Sequence, residues 1–173
     1  RAKRRCMPGF GDLDEAEQER ICKTIWALNA RSREPIHLMI HSGGGRVDLT
    51  HKVTGVLSES VAPVSGFVYG ICYSAAFVVL QSCHHRVAGA NSTFLFHGST
   101  LGSLRIDQKD FEERIRSKRQ EHEDEVTFIA KRSGKVSAEQ VRQWSQEERK
   151  FTAQEALEFG FIDEIQSSLG KSP

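Results

Sequence analysis

The stretch Gly70-Ile71-Cys72-Tyr73-Ser74-Ala75-Ala76 sets a single serine between a β-rich run, 61–69, and an apolar stretch, 77–80. The second stretch is too short, and too closely flanked by small residues, to be another strand, so Ser74 is read as the first residue of a buried helix. A serine placed there has its Oγ beside the free backbone N–H groups and the positive dipole end of the helix, which favour any negative charge arising at that point. That is the geometry a nucleophile needs. Serine is also a preferred N-cap residue, and on this segment alone both roles stay open.

Working outward, Ser42-Gly43-Gly44-Gly45-Arg46 follows the strand-like run 35–41 and precedes a helical run beginning near Val47. Three glycines let the backbone bring N–H groups close to a ligand, as a phosphate cradle or an oxyanion hole would require. Neither G-x-x-x-x-G-K-[ST] nor G-x-G-x-x-G is present, which argues against phosphate; a plain turn is the other reading. On the far side, Thr93-Phe94-Leu95-Phe96-His97-Gly98 is a short β-type run ending in a histidine where the chain leaves the sheet. A near-neutral pKa suits His97 to take a proton from a serine and return it to a leaving group, although a structural histidine would look the same. Six other histidines, at 37, 41, 51, 84, 85 and 122, compete for such a role, and none of them has the paired spacing of a zinc site.

The wider organisation is that of one domain. A helix is expected over 13–30, a strand over 35–41, helices over 47–59 and 74–82, and strands over 62–69, 86–88 and 93–97. Such alternation implies parallel strands with crossover helices, the α/β class. Asp12-Leu13-Asp14-Glu15, Ser137-Ala138-Glu139-Gln140 and Thr152-Ala153-Gln154-Glu155 read as capping boxes, and Gly160 as the stop of the last helix. With 173 residues and 38% hydrophobic content the chain can bury one core, and no low-complexity tract divides it. A net charge of +1 gives no electrostatic case for nucleic acid. No apolar run is long enough to span a membrane. Cysteines 6, 22, 72 and 83 form no C-x-x-C pair and are read as free thiols of a reducing, cytoplasmic compartment. Between His97 and Glu148, residues 107–131 are rich in charge, with apolar positions at Phe111, Ile115, Val126, Phe128 and Ile129. As a helix this segment would be roughly 37 Å long, and a helix polar over most of its turns is either solvated or packed on something outside its own domain.

Taken in order, these segments resemble the proteolytic subunit of the Clp protease, a serine peptidase family of crotonase-like fold. His41-Ser42-Gly43-Gly44-Gly45 stands where that family has Asn-Ser-Pro-Gly-Gly, Gly70 to Ala76 stands at the nucleophile, and Phe94-Leu95-Phe96-His97 at the strand ending in the catalytic histidine. The C-terminal Phe151-Thr152-Ala153-Gln154-Glu155-Ala156, running on to Gly160-Phe161-Ile162-Asp163, matches as well. The likeness covers about 12–166. It implies an α/β fold of repeated β-β-α units with a protruding long handle helix, about 105–133, within a single peptidase domain over 1–173.

By position the resemblance makes Ser74 the nucleophile, His97 the general base and Glu148 the third triad member, in place of the family's aspartate; Glu147 next door is the alternative, or Glu148 is simply a solvated acid. Triads with glutamate in the third place exist on other folds. The oxyanion donors implied are the backbone N–H groups of Gly44 and Ala75. The implied activity is endopeptidase cleavage of a peptide or unfolded protein through an acyl-enzyme, with no metal and no organic cofactor, inside a homo-oligomer of seven-membered rings, stacked in pairs through the handles.

Departures qualify this. Gly43 replaces a proline, and Tyr73 beside the nucleophile is expected to narrow the site or shape the substrate pocket. Residues 1–11 are expected to be irregular or truncated, without the first hydrophobic strand, which argues against docking to an ATP-driven unfoldase. Two other readings fit these departures: a weak or inactive ring subunit or scaffold, and a crotonase-type acyl-CoA enzyme, which shares the oxyanion loops but has no use for a Ser-His pair.

Overall fold

A computed structural model describes residues 5–98 and 108–166. The chain runs β1 (Arg5–Phe10), α1 (Glu15–Asn29), β2 (Ile36–Ser42), α2 (Val47–Ser58), β3 (Val64–Tyr73), α3 (Ala75–Gln81), β4 (His85–Gly89), β5 (Thr93–Leu95), α4 (Gln108–Ser133), α5 (Ala138–Gln146), β6 (Lys150–Thr152), α6 (Ala153–Glu158) and β7 (Glu164–Gln166). The main sheet is ordered β1-β2-β3-β4-β7 and is parallel throughout. Crossover helices between parallel strands are what the alternating pattern required.

The N-terminal expectation is corrected. Arg5–Phe10 is not irregular but forms β1, pairing in parallel with β2 through Arg5↔Ile36, Cys6↔His37 and Met7↔Leu38. Pro8 and Gly9 hide it from a pattern search, because both are poor strand residues; they are tolerated at an edge, where the register shifts between Met7 and Phe10. The case against unfoldase docking that leaned on a missing strand therefore loses its basis.

β3 is longer than expected and serves two partners. Its first half pairs with β4, from Ser65↔His85 to Val68↔Ala88, and its second half with β5, from Ile71↔Thr93 to Tyr73↔Leu95. The changeover falls at Gly70, whose φ is +99° and where a Cβ would lie 2.5 Å from the His41 ring. Only glycine fits such a place. The residue standing where the family has asparagine thus packs its ring against the bend that sends β3 on toward Ser74.

α3 is buried along its whole length, as a helix apolar on every side must be. Phe77 on α3 meets Phe94, Phe96 and Phe161 with ring centroids 6.4, 6.2 and 5.3 Å away, so the helix opened by Ser74 is locked to β5 and to the C-terminal segment. Asp163 in that segment accepts from the buried Arg86 guanidinium at 2.7 and 3.1 Å, and Arg86 also reaches Gln81 at 2.6 Å. Burial pushes the Asp163 carboxyl up, but the Arg86 bonds and charge more than offset this and hold it below the ordinary aspartate value.

The long charged segment is a helix of 26 residues, about 39 Å at 1.5 Å per residue. Val126 and Ile129 in its second half belong to the core, whereas the start is exposed and carries Phe111 in solvent. Ser137 and Thr152 cap α5 and α6 as reciprocal capping boxes. At α1 the cap is Asp14, not Asp12, since Leu13 is held outside the helix by donating its N–H to Gly44 O at 2.7 Å.

Candidate active site

Two registers bring the candidate residues together. In the parallel β3/β5 pair Tyr73 lies opposite Leu95, and Ser74 N donates to Leu95 O at 2.8 Å, so the residue after β3 and the residues after β5 emerge side by side. In the antiparallel β5/β6 pair Leu95 lies opposite Lys150. Continuing that register two residues beyond its last pair sets His97 opposite Glu148. The His97 Nδ1 to Glu148 Oε1 distance is 3.6 Å, ion-pair range but longer than a hydrogen bond. Glu147 turns away and accepts from Gln143 Nε2 at 2.8 Å along its own helix.

Ser74 occupies the N-cap position of α3 but does not act as a cap. Its side chain makes no capping bond, and its backbone sits at φ +53°, ψ −124°. Glu148 has φ +49°, and among the described residues these are the two non-glycine residues with positive φ. Glu148 follows α5 in the position usually given to glycine. Its N–H donates to Ser145 O at 3.3 Å and that of Arg149 to Trp144 O at 3.0 Å, the two bonds of a Schellman turn. Arg149 then spreads its guanidinium over Trp144, Phe151 and Phe159 at 5.0 to 5.5 Å and pairs with Glu155 at 2.9 Å. The residue aimed at His97 is therefore anchored from both sides. Non-glycine left-handed backbone costs on the order of 1–3 kcal/mol and concentrates at functional sites.

Ser74 and His97 line one cleft of about 400 Å³ with Gly45, Arg46, Asp48 and Lys118. No hydrogen bond joins the serine and histidine side chains among the described residues; before substrate binds, such pairs are commonly loose. A larger cavity of about 700 Å³ between α2 and α4, walled by His51, Val78, Glu125 and Phe128, has none of the three candidate residues in its wall.

The glycine loop lies beside the nucleophile. Gly44 backs against the nucleophile, where a Cβ would lie 2.8 Å from Ser74 Cβ. Its N–H is taken, donating to Ser42 Oγ at 3.0 Å. Gly45 lines the cleft itself, and its N–H has no acceptor among the described residues, held in place by the bridge to Leu13. The Ala75 N–H is likewise without an acceptor there, one of the orphan donors every helix start carries. Of the glycines, Gly44 thus has its N–H engaged by Ser42 Oγ while that of Gly45 is unengaged among the described residues, a distinction made by the turn and not by the run of glycines. Tyr73 also departs from expectation. Its hydroxyl bonds Thr93 Oγ1 at 2.8 Å and its ring lies under Lys150 Nζ at 5.5 Å, so it braces β5 and β6 and does not line the cleft.

Comparison with known proteins gives the family and the fold. A family model described as Clp protease matches residues 2–168, and the chain belongs to that family. It is 29% identical over 170 residues to the ATP-dependent Clp protease proteolytic subunit 3 of Rhodococcus jostii, covering 93% of this chain and 80% of the relative. With the corresponding subunit of Leuconostoc citreum it shares 24% over 170 residues, 94% and 83% of the two chains. Among solved structures, a ClpP1 mutant from Listeria monocytogenes superposes with a TM-score of 0.84 at 20% identity, covering 95% of this chain and 92% of that one. The likeness in structure fixes the fold. No helix among the described residues is long and apolar enough to cross a membrane.

Proposed function

We propose that this chain is a serine endopeptidase working through an acyl-enzyme on Ser74. The observation that carries the reading is the pairing of strain with position: the two non-glycine residues held at positive φ, Ser74 and Glu148, stand on either side of His97. His97 takes the Ser74 hydroxyl proton as Oγ attacks the scissile carbonyl carbon. The N–H groups of Gly45 and Ala75 hold the oxyanion. As the C–N bond breaks, His97 gives its proton to the leaving amine, leaving an ester on Ser74. Water, deprotonated by His97, then hydrolyses the ester and frees the acid. Glu148 orients the imidazole and stabilises it while it is charged. A small chromogenic ester should give a burst of alcohol stoichiometric with chain, with an acyl mass added to Ser74 on acid quench. Steady release with no burst and no adduct would refute the acyl-enzyme.

The substrate is a peptide or an unfolded protein, reached inside an assembly of seven-membered rings. The exposed start of α4, with Phe111 in solvent, is a face suited to packing outside its own domain. Solution mass at working concentration is expected to be that of seven or fourteen chains; a monomer would exclude a chamber.

A further inference from the structure

Taking the peptidase reading as the basis, we infer that His122 is a positioning residue that clips the strand carrying His97 to the helix end carrying Glu148. It sits in the middle of α4, and its ring touches three places at once. It stacks on Phe96, the residue before His97, with centroids 5.3 Å apart and planes 13° from parallel. It lies against Gly98, the residue after His97, where a Cβ would be 3.7 Å from His122 Nδ1. Its Nε2 is 3.3 Å from Ser145 Oγ, and Ser145 is the residue whose carbonyl accepts the Glu148 N–H. A single imidazole thus fixes both flanks of the base and the turn that presents the acid opposite it. His97 and Glu148 themselves are 3.6 Å apart, and a displacement of about 1 Å at such a pair can cost on the order of 100-fold in rate.

The clip works with the ring neutral. Its Nδ1 is buried without a hydrogen-bond partner among the described residues, so the proton of the neutral ring belongs on Nε2, where it donates to Ser145. A second proton would place an N–H on Nδ1 with no acceptor among the described residues, which is costly in a buried site. Burial accordingly holds the His122 pKa below the ordinary histidine value, Glu123 opposing this and Arg142 and His97 adding to it. Among the described residues the charged and titratable groups around it are His97 beyond β5, Lys118, Arg119 and Glu123 on α4, and Arg142 on α5, with Arg142 and Glu123 paired at 2.7 Å. On acidification His122 gains its charge beside a second histidine and the clip opens.

The test is the rate of fluorophosphonate modification of the full chain as a function of pH, with peptide kcat and KM beside it. Wild type should lose reactivity on acidification more steeply than a chain that cannot be protonated at position 122. Phe in place of His122 (His122→Phe) keeps the stacking and removes the titration. It should lower kcat about 10- to 100-fold at neutral pH, leave KM unchanged, since His122 touches no substrate, and make the acid limb less steep than in wild type. Ser145→Ala, which removes the other end of the bond, should lower kcat similarly and likewise make the acid limb less steep than in wild type. An acid limb equally steep in wild type and His122→Phe, or variants that match wild type in kcat, overturns the clip while leaving the peptidase reading intact. A wild-type chain that does not react at all removes the peptidase reading, and the clip with it.

Discussion

Replacing Ser74 by alanine is expected to lower peptide hydrolysis by about 10⁶-fold in kcat, the scale on which removal of a serine nucleophile acts, with little change in KM or stability. The reason lies in what Ser74 does not do. Its hydroxyl makes no capping bond, so removing it strands no partner and opens no cavity. The strained backbone, φ +53°, remains strained with alanine, and the turn stays fixed by Ser74 N on Leu95 O and by Phe77 N on Ser74 O. Parallel steady-state kinetics and urea unfolding check both halves. A variant that keeps a tenth of the activity would place the nucleophile elsewhere; one that unfolds would show that the hydroxyl serves the fold.

Glu148→Gly is the second large effect, and its sign differs between function and stability. Removing the acid opposite a catalytic histidine is expected to cost about 10⁴-fold in kcat. Glycine, however, is the residue that the Schellman turn after α5 favours at φ +49°. The variant should therefore be more stable than wild type, by about 0.5–1 kcal/mol once the greater freedom of unfolded glycine is allowed for. Glu148→Ala should lose the same activity without that gain, because its Cβ keeps the strain. Loss of activity together with a loss of stability in the glycine variant would mean that the turn is not strained as described. Activity retained in both would move the orienting role to Glu147, whose carboxylate is bonded to Gln143 instead.

Much of the site could be read from the chain because local pattern and chemistry coincide there. A hydroxyl between a β run and an apolar helix marks Ser74, and a histidine at the end of a short strand marks His97. What could not be read depends on register and on turns. That Glu148 and not Glu147 faces His97 follows from the antiparallel β5/β6 pairing, which leaves no trace in a run of adjacent acids. Its left-handed backbone is hidden for the same reason, since a pattern search expects glycine there. The choice of Gly45 over Gly44 turns on one bond from Gly44 N–H to Ser42 Oγ. β1 is hidden because Pro8 and Gly9 interrupt it, and the contacts of Tyr73 follow from the β3/β5 register, which its place beside Ser74 does not reveal. His122 carries no sequence signal at all. It is one histidine among seven, singled out only by the fold that sets it against Phe96, Gly98 and Ser145.

The most direct measurement is intact mass and peptide mapping after incubation with a fluorophosphonate at neutral pH. A single adduct is expected, mapped to Ser74, absent from Ser74→Ala and greatly slowed in His97→Ala. An adduct that persists at full level in Ser74→Ala, or a wild-type chain that stays unmodified as an intact assembly, would contradict the assignment.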